Sequence, residues 1–333
     1  MSEHPESKSK PIDTIYFGGG TPTELSIQQL QMIIDKIKST FTITDDCHMT
    51  IESNPGEVDL QYLTKLVKLG FNRISFGVQT FDDKALTMLH RSHNGEKAKQ
   101  AVYEAKEAGF TDINIDLIYG LPRQSLEDIK RNLEIVKDLP INHISTYGLQ
   151  VEVGTYLYHL VQKNLISIPS ESIDEAMYDT MMEGLKKLGF ERYEISNFAQ
   201  KDANGMLQIS KHNTKYWQGK EYLGIGPSAH SFLKGERFYY DRNLYSFLKG
   251  NPPIMDGQGG DKEEFVMLAL RLTDGLTNEI WYHKFQEPLP QSYIKRAQRY
   301  EAAGLVHMKK NGFALTPKGF LVSNQLILSI IGA

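Results

Sequence analysis

Hydrophobic and polar positions switch between two periodicities along the first half of the chain. Runs with period two, rich in β-branched and aromatic residues, predict strands at residues 14–17, 49–54, 74–79, 113–119 and 143–149. Between them the apolar positions recur every three or four residues. Ser26 and Gln29 form a capping box ahead of the stripe Ile27, Leu30, Ile33, Ile34 and Ile37. Asp59 caps a helix carrying Leu60, Leu63, Leu66 and Val67. Asn94 opens another through Ala98, Ala101, Val102 and Ala105, and Ser125 a fourth through Leu126, Ile129, Leu133 and Val136. KLGFNRISFG, EAGFTDINID and KLGFERYEIS repeat one signature of helix end, glycine, phenylalanine and strand. Gly70, Gly109 and Gly189 are placed to take the left-handed turn that ends each helix.

Strands alternating with helices of this length require parallel crossovers, hence an α/β sheet or barrel. The strands also carry polar residues on one face: Thr50, Glu52 and Asn54; Ser75, Gly77 and Gln79; Asn114 and Asp116. Strands covered by helices on both faces would be apolar throughout. A barrel with a wet, ligand-holding interior fits better, so the pattern predicts an incomplete TIM-like parallel barrel. Further on, a helix is expected at 172–188, a strand at 192–196 and irregular chain over about 197–250. NPPIMDGQGGDK reads as a linker or exposed loop. A helix near 263–271 and a helix, hairpin, helix series then give a winged-helix-like end. The expected divisions are a disordered lead-in at 1–12, a partial barrel at 13–155, an α+β extension at 156–250 and the winged-helix-like region at 251–333.

Composition narrows the classes. With 40% hydrophobic residues in 333, a sizeable core is available. A net charge of -4 gives no general attraction for nucleic acid or acidic membranes. No apolar run approaches the roughly 20 residues of a membrane span, and MSEHPESKSK is no secretory signal, so a cytoplasmic protein is expected. The single cysteine, Cys47, excludes a disulfide framework and any multi-thiolate metal site within one chain; it reads as a small core hydrophobe.

Chemistry concentrates in two places. In YFGGGTPT (16–23) three glycines bring backbone close to a ligand, although a tight strand-to-helix turn accounts for them equally well; no Gly-Lys-Ser/Thr follows, so it is not a Walker loop. Glu52, Gln79 and Asp116 sit at strand ends, where barrel enzymes assemble their sites. Arg91 is a fork suited to a carboxylate. Singly each is an ordinary polar residue. Together they describe a pocket for a zwitterionic, ribose-bearing molecule. The second place is HNTKYW, where His212 is a candidate haem ligand beside Tyr216 and Trp217, against a reading in which His212 and Asn213 brace a loop and the aromatics fill a core. His230 is a second, less specific candidate. His90 and His93 flank Arg91 without the carboxylates or thiols of a metal motif, and read as solvated or helix-capping.

FGGGTPT, IESNPGE, RISFGVQTFDDKALTMLHRSH, NIDLIYGLPRQS and HNTKYWQGKEYLGIGPSAHSF, spanning residues 13 to 235, carry a resemblance. The chain resembles the radical S-adenosylmethionine (SAM) proteins of the oxygen-independent coproporphyrinogen III oxidase group, and most closely its HemW-type haem chaperones. That resemblance implies that Gly19, Gly20 and Thr21 contact the methionyl end of SAM, that Arg91 pairs with its carboxylate, and that Glu52, Gln79 and Asp116 meet its ribose and amino group. It implies haem at His212, Asn213, Tyr216 and Trp217. The expected function is to bind haem and pass it to haem-dependent proteins; the alternatives are oxidative decarboxylation of coproporphyrinogen III, or an inactive paralogue. A homodimer and peripheral membrane association are compatible with it. The family also has a first strand followed by a Cys-x3-Cys-x2-Cys loop holding a [4Fe–4S] cluster. The expectation here is a chain without that strand and loop, unable to hold the cluster and with an exposed edge on the strand at 14–17.

Overall fold

The computed structural model describes residues 10–332. The expected lead-in therefore lies almost wholly outside the described residues. The chain forms two compact units. The first runs to Arg192 and resumes over Ser196–Ile209; the second comprises Tyr193–Ile195 and the chain from Ser210 onward.

In the first unit the elements follow in the order β1 (Ile12–Phe17), α1 (Ile27–Thr40), β2 (Ile43–Ser53), α2 (Leu60–Leu69), β3 (Arg73–Gln79), α3 (Asp83–Met88), α4 (Gly95–Ala108), β4 (Asp112–Tyr119), α5 (Leu126–Asp138) and β5 (His143–Gly148). They continue with α6 (Tyr156–Gln162), α7 (Glu171–Lys187), β6 (Glu191–Arg192) and β7 (Asn197–Ala199). The helices start where their caps predict: Ser26 and Ser125 form complete capping boxes, and Asp59 and Asn94 each accept from a backbone N–H in the first turn. Gly70 and Gly109 end α2 and α4 at φ 105° and 106°.

Strands β1 to β5 are parallel and neighbours in sequence order. This is the single winding of a barrel rather than the reversing order of a doubly wound sheet. The pleat sends Ile51, Ile74, Phe76, Val78, Ile113, Ile115, Leu117 and Ile144 into one core with Leu30 and Ile34 of α1, Leu63 and Leu66 of α2, Ala101 and Val102 of α4 and Ile129 of α5. The opposite face is polar, and register aligns it in rows. Tyr16, Thr50, Arg73 and Asp112 stand side by side; the next row is Glu52, Ser75, Asn114 and His143; the third contains Asp116, Ser145 and Asn197. The incomplete parallel barrel with a polar interior is the observed fold.

Three details differ from expectation. The sheet closes with β7 and β6 running antiparallel rather than with further parallel strands. The strand expected at 192–196 is split: β6 ends at Arg192, Tyr193–Ile195 belong to the second unit, and Glu194 forms an isolated bridge with Leu272. Pairing partners on two different sheets override a locally uniform β propensity. The segment expected as a loop, NPPIMDGQGGDK, contains a strand, described with the second unit.

That unit holds α8 (Lys211–Trp217), β8 (His230–Leu233), β9 (Glu236–Tyr239), α9 (Leu244–Leu248) and β10 (Ile254–Gln258). β10 pairs antiparallel with β9 and is exposed along its whole length, so only the hairpin ladder, not burial, makes it a strand. There follow α10 (Lys262–Ala269), β11 (Leu276–Thr277), α11 (Asn278–Phe285), α12 (Gln291–Gln298), β12 (Val306–Lys309), β13 (Gly312–Leu315), α13 (Pro317–Leu321) and α14 (Ser323–Ile331). β11, β13 and β12 form a small antiparallel sheet in the winged-helix order, around a core with Trp281 at its centre. No helix among the described residues is long and apolar enough to cross a membrane.

Candidate functional site

The parallel register of β1 on β2 carries the glycine loop over Glu52. A Cβ on Gly18 would lie 2.6 Å from the Tyr16 ring and 2.8 Å from the Glu52 carboxyl carbon, so no side chain fits there. Gly19 takes φ +86° and its N–H donates to Glu52 Oε2 at 3.1 Å. The Tyr16 hydroxyl donates to Oε1 at 2.6 Å. Burial first, and then the Glu52 charge, push the Tyr16 phenol well above its ordinary range, so it remains a donor. Glu52 accepts two hydrogen bonds from the protein and a carboxylate has about four acceptor sites, which leaves room for a diol or an ammonium group. Gly20 has open space around it.

Asn54, the next inward position after Glu52, joins the loop to the rest. Its Nδ2 donates to Thr21 Oγ1 at 3.3 Å and to Glu57 Oε1 at 3.1 Å, and its Oδ1 accepts from Arg91 Nη1 at 3.4 Å. A Cβ on Gly77 would sit 3.0 Å from the Gln79 amide nitrogen and 3.6 Å from Asn54 Oδ1, so these two amides converge over a residue without a side chain. Gln79 is a non-glycine residue at φ 67°, and the chain around it is clamped. His93 Nε2 donates to the Val78 carbonyl at 3.2 Å, while Asn132 Oδ1 accepts from Phe81 N at 3.1 Å. Burial lowers the His93 pKa, which keeps that imidazole neutral.

Asp116 lies one row further along. It accepts from Asn114 Nδ2 at 2.8 Å and from the Ser145 hydroxyl, and Asn114 in turn accepts from His143 Nδ1 at 2.6 Å. Asp116 keeps a strip of surface facing the interior, yet protein surrounds it. That burial, helped by the Glu52 charge, pushes its carboxyl up to about 6 against the opposing hydrogen bonds. Burial and then Arg73 hold His143 well below the usual histidine range. Deeper in the interior Arg73 and Asp112 form an ion pair at 2.5 Å.

Hydrogen bonds and close contacts thus connect Gly19, Thr21, Glu52, Gln79 and Arg91, and Asp116 feels the charge of Glu52. Sequence reasoning missed Tyr16, Gly18, Asn54, Asn114 and Ser145. Period-two alternation from Glu52 and Asp116 pointed to Asn54 and Asn114; nothing local marked Ser145.

In the second unit Ser210 caps α8 by accepting from Asn213 N at 3.3 Å. His212 and Tyr216, four residues apart, share a helix face: Nε2 and the phenol oxygen are 2.9 Å apart and the rings meet edge-on at 5.1 Å. Tyr216 also meets Tyr222 edge-on at 4.6 Å. Asn213 and Trp217 are half-exposed; Thr214 is the buried residue of this helix. His230 is exposed and stacks on Tyr239 at 4.9 Å.

Residues 6–136 match the Radical SAM superfamily and residues 262–322 the HemN C-terminal domain. "Heme chaperone HemW" of Bacillus subtilis (strain 168) is 32% identical over 330 residues, covering 96% of this chain and 86% of that protein. The protein of the same name from Haemophilus influenzae is 34% identical, with 96% and 83% covered. The chain belongs to the HemW family of radical SAM proteins. "Radical S-adenosyl methionine domain-containing protein 1, mitochondrial" of Danio rerio is a more distant relative, 28% identical with 98% and 76% covered. The solved structure of coproporphyrinogen III oxidase (HemN) from Escherichia coli, titled a radical SAM enzyme, superposes with a TM-score of 0.81 at 22% identity, covering 99% of this chain and 80% of that one, and so shares the fold.

The HemW family implies SAM and a [4Fe–4S] cluster. SAM fits the residues present: two half-buried carboxylates, converging amides and a glycine loop with no room for a side chain at Gly18. The cluster does not fit them. Cys47 is the single cysteine, half-buried in β2, and among the described residues no three His, Cys, Asp or Glu side chains converge as a metal site.

Proposed function

We propose that this chain is a haem chaperone that binds haem through α8, delivers it to haem-dependent proteins, and carries a SAM pocket on the inner face of β1 to β4. Similarity to proteins named haem chaperones along nearly the whole chain is the observation that carries this reading. In the pocket, Gly19, Gly20 and Thr21 would face the methionyl end of SAM and Arg91 its carboxylate. Glu52, Gln79 and Asp116 would take the ribose hydroxyls and the amino group. Bound SAM with a reduced cluster supplies radical chemistry in this superfamily; these 333 residues offer one thiolate, and no such step is assigned to them. What the residues do is bind and orient: Tyr16 holds Glu52, Asn54 holds Thr21 and Arg91, and Asn114 with Ser145 holds Asp116.

At α8, His212 would ligate the iron, with Tyr216, Trp217 and Asn213 beside the macrocycle and His230 as a second imidazole. His212 Nε2 must release the Tyr216 hydroxyl to bind iron through that nitrogen. Haem titration of the full chain should shift the Soret band, and His212→Ala should remove that shift or weaken it strongly. Tyr216→Phe frees Nε2 from a neutral hydrogen bond of about 1 kcal/mol, so affinity should rise about fivefold. A wild-type chain that leaves free haem's spectrum unchanged would exclude the proposal.

A further inference from the structure

His90 has a geometry that neither the SAM pocket nor α8 accounts for. It follows α3, whose end is closed by two backbone bonds, His90 N to Thr87 O at 3.1 Å and Arg91 N to Leu86 O at 3.0 Å. This closure requires a left-handed residue, a position that favours glycine. Here it is histidine at φ 54°. The imidazole is exposed and makes no hydrogen bond with any described residue. Its one ring contact is edge-on with Tyr156 at 5.1 Å.

The other interior imidazoles of this unit are committed: His93 through Nε2 to a carbonyl, His143 through Nδ1 to Asn114. The His90 nitrogens are available. Apolar surface surrounds its partner. Tyr156 is 60% exposed and Val153, three residues before it, 81% exposed, more than such side chains usually leave to water. α3 follows β3 and α6 follows β5, so both rings belong to the C-terminal end of the parallel sheet, where barrels hold ligands.

A bare metal ion would find too few ligands here, because no three His, Cys, Asp or Glu side chains converge among the described residues. Haem iron brings four nitrogens of its own and asks the protein for one axial group and a flat apolar wall. We propose that His90 is an axial ligand for a haem seated against Tyr156 and Val153 at the C-terminal mouth of the first unit. The inference rests on the reading of the chain as a haem-binding protein and adds a site to it. Strain at a left-handed histidine is then the structural cost of presenting an uncommitted imidazole to a ligand.

His90→Gly provides the test, because glycine is the residue this backbone prefers and the variant keeps the fold. Its thermal midpoint should equal or exceed that of the wild type. Haem titration of the full chain, followed by the Soret band and by resonance Raman, should show a loss of affinity of about tenfold or more at one site. Added imidazole should restore the wild-type spectrum of the His90→Gly complex, which a merely structural role would not produce. A His212→Ala chain serves as reference for the α8 site. If the wild type binds haem and His90→Gly matches it in affinity and spectrum, or if imidazole restores nothing, the His90 site is overturned while the chaperone reading stands. If the wild type binds no haem, both fall together.

Discussion

Asp116→Asn separates stability from ligand binding in a single residue. The Asp116 carboxyl is pushed from 3.8 to about 6 by burial and by Glu52. Holding it ionised in the fold at neutral pH therefore costs about 3 kcal/mol. Asparagine removes the charge but keeps the shape, and loses about one hydrogen bond of the pair from Asn114 and Ser145, worth about 1 kcal/mol. The net expectation is a first unit about 2 kcal/mol more stable than wild type at pH 7.5. The sign with pH follows from a folded pKa above the unfolded one. The wild-type carboxyl supports the fold fully below pH 3.8, and that support is lost as pH rises through about 6. The advantage of the variant should thus vanish or reverse by pH 4. Both tryptophans, Trp217 and Trp281, lie in the second unit, so urea unfolding must be followed by far-UV circular dichroism or by amide exchange in β4 rather than by tryptophan emission. The same variant should bind SAM more weakly, because an amide replaces the carboxylate facing the ribose. A variant less stable than wild type at pH 7.5, or an advantage that persists unchanged at pH 4, would refute the assignment of a strained, buried charge.

Two further substitutions address the scaffold. Arg73→Leu leaves Asp112 without its partner in the interior and should cost about 3–5 kcal/mol, with much of the loss recovered by adding Asp112→Leu, measured by urea unfolding. Gly95→Ala would normally favour a helix start, but here the new Cβ meets the Phe81 carbonyl oxygen at 2.5 Å, so a loss of about 1–3 kcal/mol is expected in thermal melts.

The legible parts of this molecule were those set by local chemistry. Ser26, Asp59, Asn94 and Ser125 declared helix starts, and Gly70, Gly109 and Gly189 their ends, because capping and left-handed turns depend on residues a few positions apart. Period-two alternation placed Glu52, Asn114 and Asp116 on one face, and that face proved to be the polar interior. The break at Arg192 was not legible, since it depends on which sheet each side of the segment joins. β10 was hidden because a wholly exposed edge strand has no hydrophobic pattern to read. Gly18 resembled its two neighbours in sequence. Only the approach of Tyr16 and Glu52 shows that it, rather than Gly20, lacks room for a side chain.

The order of strand pairing has a consequence for synthesis. β1 to β5 each find their neighbour in the segment just translated, so this part of the sheet can assemble behind the ribosome in step with elongation. The far edge of β5 is different. Thr146 N finds its acceptor, Ser196 O, only fifty residues later, and β7 covers the strand at the same stage. Until that stretch emerges, the nascent chain presents an open, half-apolar β edge, and this interval is where trigger-type chaperones have most to protect.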